Sequence, residues 1–289
     1  GFVNIVGNPN VGKSTLMNQL VGEKLSIATF KAQTTRHRIM GIVNTDDAQI
    51  VFSDTPGVLK PNYKMQEMML QFSESALADA DILLYVTDVV ENPEKNMDFL
   101  DKVSKMTIPV ILLINKIDES DQKKLGNLVE TWHKLLPNAE ILPLSAKNKF
   151  GIDILMKRIL ELLPESPAFF DKDQLTDKPA KFFVSEIIRE KILRYYDKEI
   201  PYSVEVVIER FKEDDRQIHI NAIIYVERSS QKGIIIGHQG MALKKVSTEA
   251  RKSLERFFDK KIFLETYVKV DKDWRNSQKE LNNFGYNPE

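Results

Sequence analysis

Eight residues near the start of the chain, Gly7-Asn8-Pro9-Asn10-Val11-Gly12-Lys13-Ser14, fit the pattern G-x-x-x-x-G-K-[ST], with Thr15 next in line. The chemistry of that pattern is the holding of phosphate. Its glycines let the backbone curl so that N–H groups, reinforced by a helix N-terminus, face an anion. Lys13 is placed to reach β- and γ-phosphates, and Ser14 to bind Mg2+. Asp54-Thr55-Pro56-Gly57 supplies a second set of groups. Asp54 would hold the same metal through a water, while Gly57 can bring its N–H close to a γ-phosphate and report its presence. Between the two lies Gln33-Thr34-Thr35-Arg36-His37. One of its threonines should complete the magnesium shell, Thr35 in preference to Thr34, and His37 reads as a structural residue rather than a base.

Asn115-Lys116-Ile117-Asp118 and Ser145-Ala146-Lys147 add a base-recognition chemistry. A carboxylate at Asp118 can accept hydrogen bonds from the N1–H and exocyclic amine of guanine. Adenine offers neither donor in that arrangement, so a buried Asp118 would be left unpaired beside it. Asn115 would tie this loop to the phosphate loop, and the stem of Lys116 would cover the base. The Ser145–Lys147 loop would present a backbone N–H to the guanine oxygen.

These loops need a frame that brings them together. Phe2–Val6, Ile39–Asn44, Gln49–Ser53, Ile82–Val86, Val110–Ile114 and Ile141–Leu144 read as strands. The fourth and fifth are continuous apolar runs, as in strands covered on both faces. Helical patterns occupy Lys13 to Val21 and about 62–79, 94–105, 121–135 and 149–163. The alternation predicts a doubly wound α/β domain over 1–165, with every motif at the C-terminal end of a strand.

With 289 residues, 42% of them hydrophobic, the chain is long enough for two cores. Three of its twelve prolines, at 164, 167 and 179, mark 166–178 as a linker. Over 179–289 the pattern is a helix, two strands, a Gly-interrupted turn, a long basic helix, a strand and a short helix, an α+β module of order α-β-β-α-α-β. Formal net charge is -1, so any nucleic-acid site must be local. Arg228 to Lys261 supplies such a patch, with nine Lys or Arg against three Asp or Glu. Within it, Gly237-His238-Gln239-Gly240 forms a G-x-x-G turn that lets a nucleic-acid backbone approach closely. The residues assigned to RNA are Lys232, Gly233, Ile236, Gly237, His238, Gln239, Gly240, Lys244, Lys245 and Arg251. The chain has no cysteine, which excludes disulfides and thiolate metal sites. It begins at Gly1 inside a strand-like run, which suggests a trimmed start.

Taken together, G-x-P-N-x-G-K-S, Q-T-T-R-H, D-T-P-G, N-K-x-D and S-A-K resemble the Era family of translation-factor-class GTPases, over essentially the whole length. Glu227-Arg-x-Ser-Gln-Lys-Gly-Ile-Ile-Ile-Gly237 continues the likeness into a type II KH domain. The resemblance implies a GTP/GDP-switched protein, with Mg2+, that binds single-stranded RNA at the 3′ end of small-subunit ribosomal RNA and serves assembly of that subunit. Its position after Gly57 is Val58, where Ras-like GTPases carry a water-orienting glutamine, so slow intrinsic hydrolysis is expected. The residues expected to act in hydrolysis are Lys13, Thr35, Gly57 and Asn10. In relatives the asparagine matching Asn10 is associated with a monovalent cation, here K+. His238 stands where lysine is common, a weaker attraction for phosphate. A cytoplasmic monomer is expected, in peripheral contact with the inner face of the cell membrane. An RNA-binding scaffold with structural nucleotide and a membrane-associated signalling GTPase are the alternatives.

Overall fold

The computed structural model describes residues 1–288, which divide into two compact units: Gly1–Asn62 with Gln66–Asp177 and Pro288, and Tyr63–Met65 with Lys178–Asn287. The first is built on six strands, β1 (Phe2–Gly7), β2 (Ile39–Asn44), β3 (Gln49–Asp54), β4 (Ile82–Asp88), β5 (Val110–Asn115) and β6 (Glu140–Pro143). They lie in the order β2-β3-β1-β4-β5-β6, with only β2 antiparallel to its neighbour. The register pairs Ile5 with Asp54, Gly7 with Val86 and Asp88 with Asn115. One edge of the sheet therefore collects the ends of β1, β3, β4 and β5, each followed by one of the motifs or by polar chain.

The apolar runs account for that arrangement. Every residue of β4 is buried, and so is every residue of β5 except Val110. Leu83 and Tyr85 pack with Phe99, Leu100, Val103 and Trp132, beneath α2 (Lys64–Ala78), α3 (Met97–Ser104) and α4 (Gln122–Leu135). Alternate strand residues face the other way, toward α1 (Lys13–Val21) and α5 (Ile152–Leu162), which pack on each other. A sheet covered on both faces can open to a ligand only at its strand ends.

The segment read as a linker is not free chain. Leu175 O accepts from Ile42 N at 2.8 Å, Thr176 Oγ1 donates to Met40 O at 2.7 Å, and Thr176 pairs antiparallel with Gly41. Gln49 accepts from the N–H groups of Phe169 and Phe170, and the Phe169 ring lies 4.8 Å from that of Phe2. The exposed hydrogen-bonding edge of β2 explains this: residues 169–177 satisfy backbone groups that an edge strand leaves open. Its prolines lie outside that pairing.

In the second unit α6 (Ala180–Tyr195) and the single turn α7 (Ile200–Ser203) precede β7 (Glu205–Glu213) and β8 (Gln217–Val226). Then come α8 (Ser229–Ile236), α9 (Met241–Phe258), β9 (Lys261–Val270) and α10 (Gln278–Asn283). The sheet order is β7-β8-β9, with β8 antiparallel to β7 and parallel to β9. Alternating Ile218, Ile220, Ala222 and Ile224 pack against Ile188 and Ile192 of α6 and Val246, Ala250 and Leu254 of α9. The helix that the α-β-β-α-α-β order needs ahead of the long one is α8. Gly233 lies inside it with open space around its Cα, so the glycine weakens the helix without breaking it.

Candidate functional site

Residues 8–12 form the loop between β1 and α1, and Lys13, Ser14 and Thr15 open the helix. Asn10 holds a left-handed turn at φ 66°. Lys13 is buried, and its ammonium donates to Gly7 O at 3.1 Å and Asn8 O at 2.8 Å. It thus lies along the inside of the loop where phosphate oxygens would bind. Burial pushes it down to about 8, with the Asp54 and Glu91 carboxylates acting the other way.

Three side chains from three loops meet beside it. Ser14 Oγ donates to Asp54 Oδ2 at 2.7 Å and lies 2.8 Å from Thr35 Oγ1, which is itself 3.4 Å from Asp54 Oδ2. Asp54 is fully buried and its Oδ1 has no hydrogen-bond partner among the described residues. Burial raises its carboxyl, offset by the Ser14 bond and the Lys13 charge. A buried, half-satisfied carboxylate beside two hydroxyls is a set of hard oxygen donors, which fits Mg2+. Thr34 takes no part: its hydroxyl shares a hydrogen bond with Thr29 and donates to Lys31 O at 2.5 Å. His37 is half-buried with its ring 5.8 Å from Phe72. Gly57 lies against the phosphate loop so closely that a Cβ would stand 2.7 Å from Pro9 N and Cα.

The base-recognition loops close on the same edge. Asn115 Nδ2 donates to Val11 O at 2.9 Å, and Asn115 Oδ1 accepts from Ala146 N at 3.0 Å, so one amide joins three loops. That bond occupies the Ala146 N–H and leaves the exposed Lys147 as the loop's next donor. The ammonium of Lys116 donates to Asn10 O and to Asp88 Oδ2, both at 2.6 Å, fixing its stem across the site. Asp118 departs from expectation in being exposed, with Oδ1 accepting from Ser145 Oγ at 2.6 Å. Burial of this carboxylate would have to come from the base that it binds.

Three participants carry no motif. Asp88, buried at the end of β4, accepts from the N–H groups of Val90 and Glu91 and from Lys116. Glu91 accepts from Thr87 Oγ1 at 2.7 Å, and burial raises its carboxyl. Asn96 bonds Asn8 and Val58. Only an acidic residue at a strand end, as at Asp88, gave any sign of this in sequence.

In the second unit α8 ends at Gly237 (φ 72°), and a single tight turn through His238 and Gln239 reaches Gly240 (φ 74°) at the start of α9. His238 and Gln239 are exposed, with Lys232, Gly233 and Ile236 on α8 before the turn and Lys244 on α9 after it. Lys245 is drawn over the Tyr195 ring at 4.5 Å. Arg251 stands apart, about 16 Å further along α9 than Gly240 at helical rise, and bonds Glu255 at 2.9 Å. That surface pair leaves the Arg251 side chain partly exposed.

A phosphate loop, three gathered hard oxygen donors and an N-K-x-D loop at one sheet edge, followed by a helix-G-x-x-G-helix module, define a P-loop GTPase with an appended KH domain. Residues 2–116 match the family model described as 50S ribosome-binding GTPase, and residues 199–275 match that of the KH domain. The chain belongs to the Era family of GTPases. It is 44% identical to the GTPase Era of Clostridium kluyveri over 288 residues, covering 99% of this chain and 98% of that one. It is 45% identical to the GTPase Era of Leuconostoc citreum over 293 residues, covering 100% and 97%. Among solved structures it matches Era in complex with MgGDPNP and nucleotides 1506-1542 of 16S ribosomal RNA, at TM-score 0.95 and 38% identity, covering 99% and 98%. A variant of Aquifex aeolicus Era bound to GDP.AlF4- matches at TM-score 0.94 and 38% identity, with the same coverage.

Proposed function

We propose that this GTPase uses its nucleotide state to control binding of single-stranded RNA from the 3′ end of small-subunit ribosomal RNA, in assembly of that subunit. The observation that carries the reading is the gathering of Ser14, Thr35 and Asp54 within hydrogen-bond range of one another. Thr35 lies on the loop between α1 and β2, and a bound triphosphate with its metal would favour this gathered position, so the loop's position would report the nucleotide. The G-x-x-G turn and the RNA carried by the similar Era complex support the second half.

Ser14, Thr35 and Asp54 would hold Mg2+, which supplies charge neutralisation on the phosphates when bound. Lys13 orients and neutralises the β- and γ-phosphates, the Gly57 N–H meets the γ-phosphate, and Asp118 selects guanine. Buried Val58 can position no water, so turnover rests on electrostatics and is slow. The exposed side chain of Asn10, on a loop whose carbonyl is held by Lys116, offers an oxygen for a monovalent cation beside the phosphates. Hydrolysis is expected to be roughly ten-fold faster in potassium than in sodium chloride, less than the loss of a whole preorganised contact because sodium can fill the site in part; equal rates would remove K+ from the account.

RNA binding is tested in the full chain. In Gly237→Asp a Cβ would stand 2.6 Å from Ala242 Cβ and a carboxylate would face the phosphates. Lys244→Glu leaves the turn intact. Both should weaken a 3′-end small-subunit RNA oligonucleotide about ten-fold or more. Lys244→Glu should melt as the parent does. Equal RNA affinity with GDP and with a GTP analogue would overturn nucleotide control.

A further inference from the structure

The start of α3 is conformationally costly. Asn96, just before Met97, occupies the left-handed region at φ 58° and ψ 49°, and makes no side-chain capping bond to its helix. An extended Asn, Asp or Ser at that position would satisfy a free helix N–H. The Asn96 amide turns to the phosphate edge instead. Its Nδ2 donates to Asn8 Oδ1 at 2.6 Å and to Val58 O at 2.9 Å, which uses both of its protons. Asn8 and Val58 are buried, so neither acceptor can readily turn to water. The Val58 N–H in turn donates to Gly7 O at 3.0 Å. Val58 is therefore held from both sides, by the end of β1 and by the residue that opens α3.

We propose that Asn96 is a positioning residue that pins the chain after Gly57 to the phosphate loop, and so favours triphosphate over diphosphate. The proposal rests on the GTPase reading above. In the same structure Thr35 is drawn in to Ser14 and Asp54. The pin thus belongs to an arrangement in which the Thr35 loop and the chain after Gly57 are both gathered at the γ-phosphate end. Groups assigned to the base, Asp118 and the Ser145–Lys147 loop, make no contact with it. Losing the pin raises the free energy of the gathered arrangement alone, and a ligand that needs that arrangement then binds more weakly.

Two substitutions separate this role from a merely structural one. Asn96→Gly and Asn96→Asp both tolerate a left-handed backbone, and Asp keeps the capacity to cap α3. Neither offers an amide proton to Val58 O. Affinity for a non-hydrolysable GTP analogue is expected to fall about five- to ten-fold in both, the scale of one or two buried hydrogen bonds, with GDP affinity unchanged within about two-fold. Unchanged affinities for both nucleotides, or a parallel fall in the two, would overturn the proposal. Binding of guanosine over adenosine nucleotides by the unsubstituted chain tests the underlying reading separately.

Discussion

Asp118→Asn is expected to cost on the order of 100-fold in GTP affinity and to raise affinity for xanthosine triphosphate. A carboxylate accepting from N1–H and the exocyclic amine makes two charge-assisted bonds, together worth about 3 kcal/mol or more. An amide at that position can accept only one and turns its own N–H toward the other donor. Xanthine carries a carbonyl where guanine carries the amine, and pairs with that N–H. The fold should survive, because Asp118 is exposed and the Ser145 hydroxyl can still donate to the amide oxygen at position 118. Competition between labelled GTP and XTP measures the swap, and an unaltered preference for GTP would remove Asp118 from base recognition.

Lys13→Met should lower the rate of GTP hydrolysis by on the order of 100- to 1,000-fold, the usual loss when one preorganised charge contact to a developing charge is removed. The same substitution should stabilise the nucleotide-free protein. Lys13 titrates near 8 in the fold, against about 10.4 in an unfolded chain. Below pH 8 both states hold the proton, and folding bears the full cost of burying the ammonium. As pH rises through 8 the folded protein releases the proton, the unfolded chain still binds it, and the cost is relieved. Methionine keeps the apolar stem without the charge. A rise of a few degrees in melting temperature at pH 7 is therefore expected, for a gain of about 1–3 kcal/mol, and it should narrow above pH 8. A lower melting temperature at pH 7 would contradict the account.

Residues whose type is dictated by a ligand could be read from sequence, because phosphate, metal and guanine each demand particular groups at strand ends. Gly7 to Ser14, Asp54 to Gly57 and Asn115 to Asp118 were legible for that reason, and the apolar runs at β4 and β5 placed them on one sheet. The second domain was legible through the order of its elements. What the pattern concealed was the support. Asn96 acts on Asn8 and Val58 from 88 and 38 residues away, and no spacing rule connects them. Asp88 is one aspartate among many until β4 and β5 align it with Asn115. Arg251 reads as part of a basic patch, and only the structure shows that it lies a turn before Glu255, which it pairs with on the same helix. Asp118 was expected to be buried because its role requires it, and it is exposed in the structure; the bound base would have to supply that burial.

The stretch from Phe169 to Asp177 bears on any attempt to isolate the nucleotide-binding half. Ending the polypeptide at residue 165 would strip the cover from β2 and bare the carbonyl of Met40 and the N–H of Ile42. A bare strand margin recruits other strands, from a second molecule if none is at hand. A fragment ending at 177 should stay dispersed in light scattering, whereas one cut at 165 should self-associate.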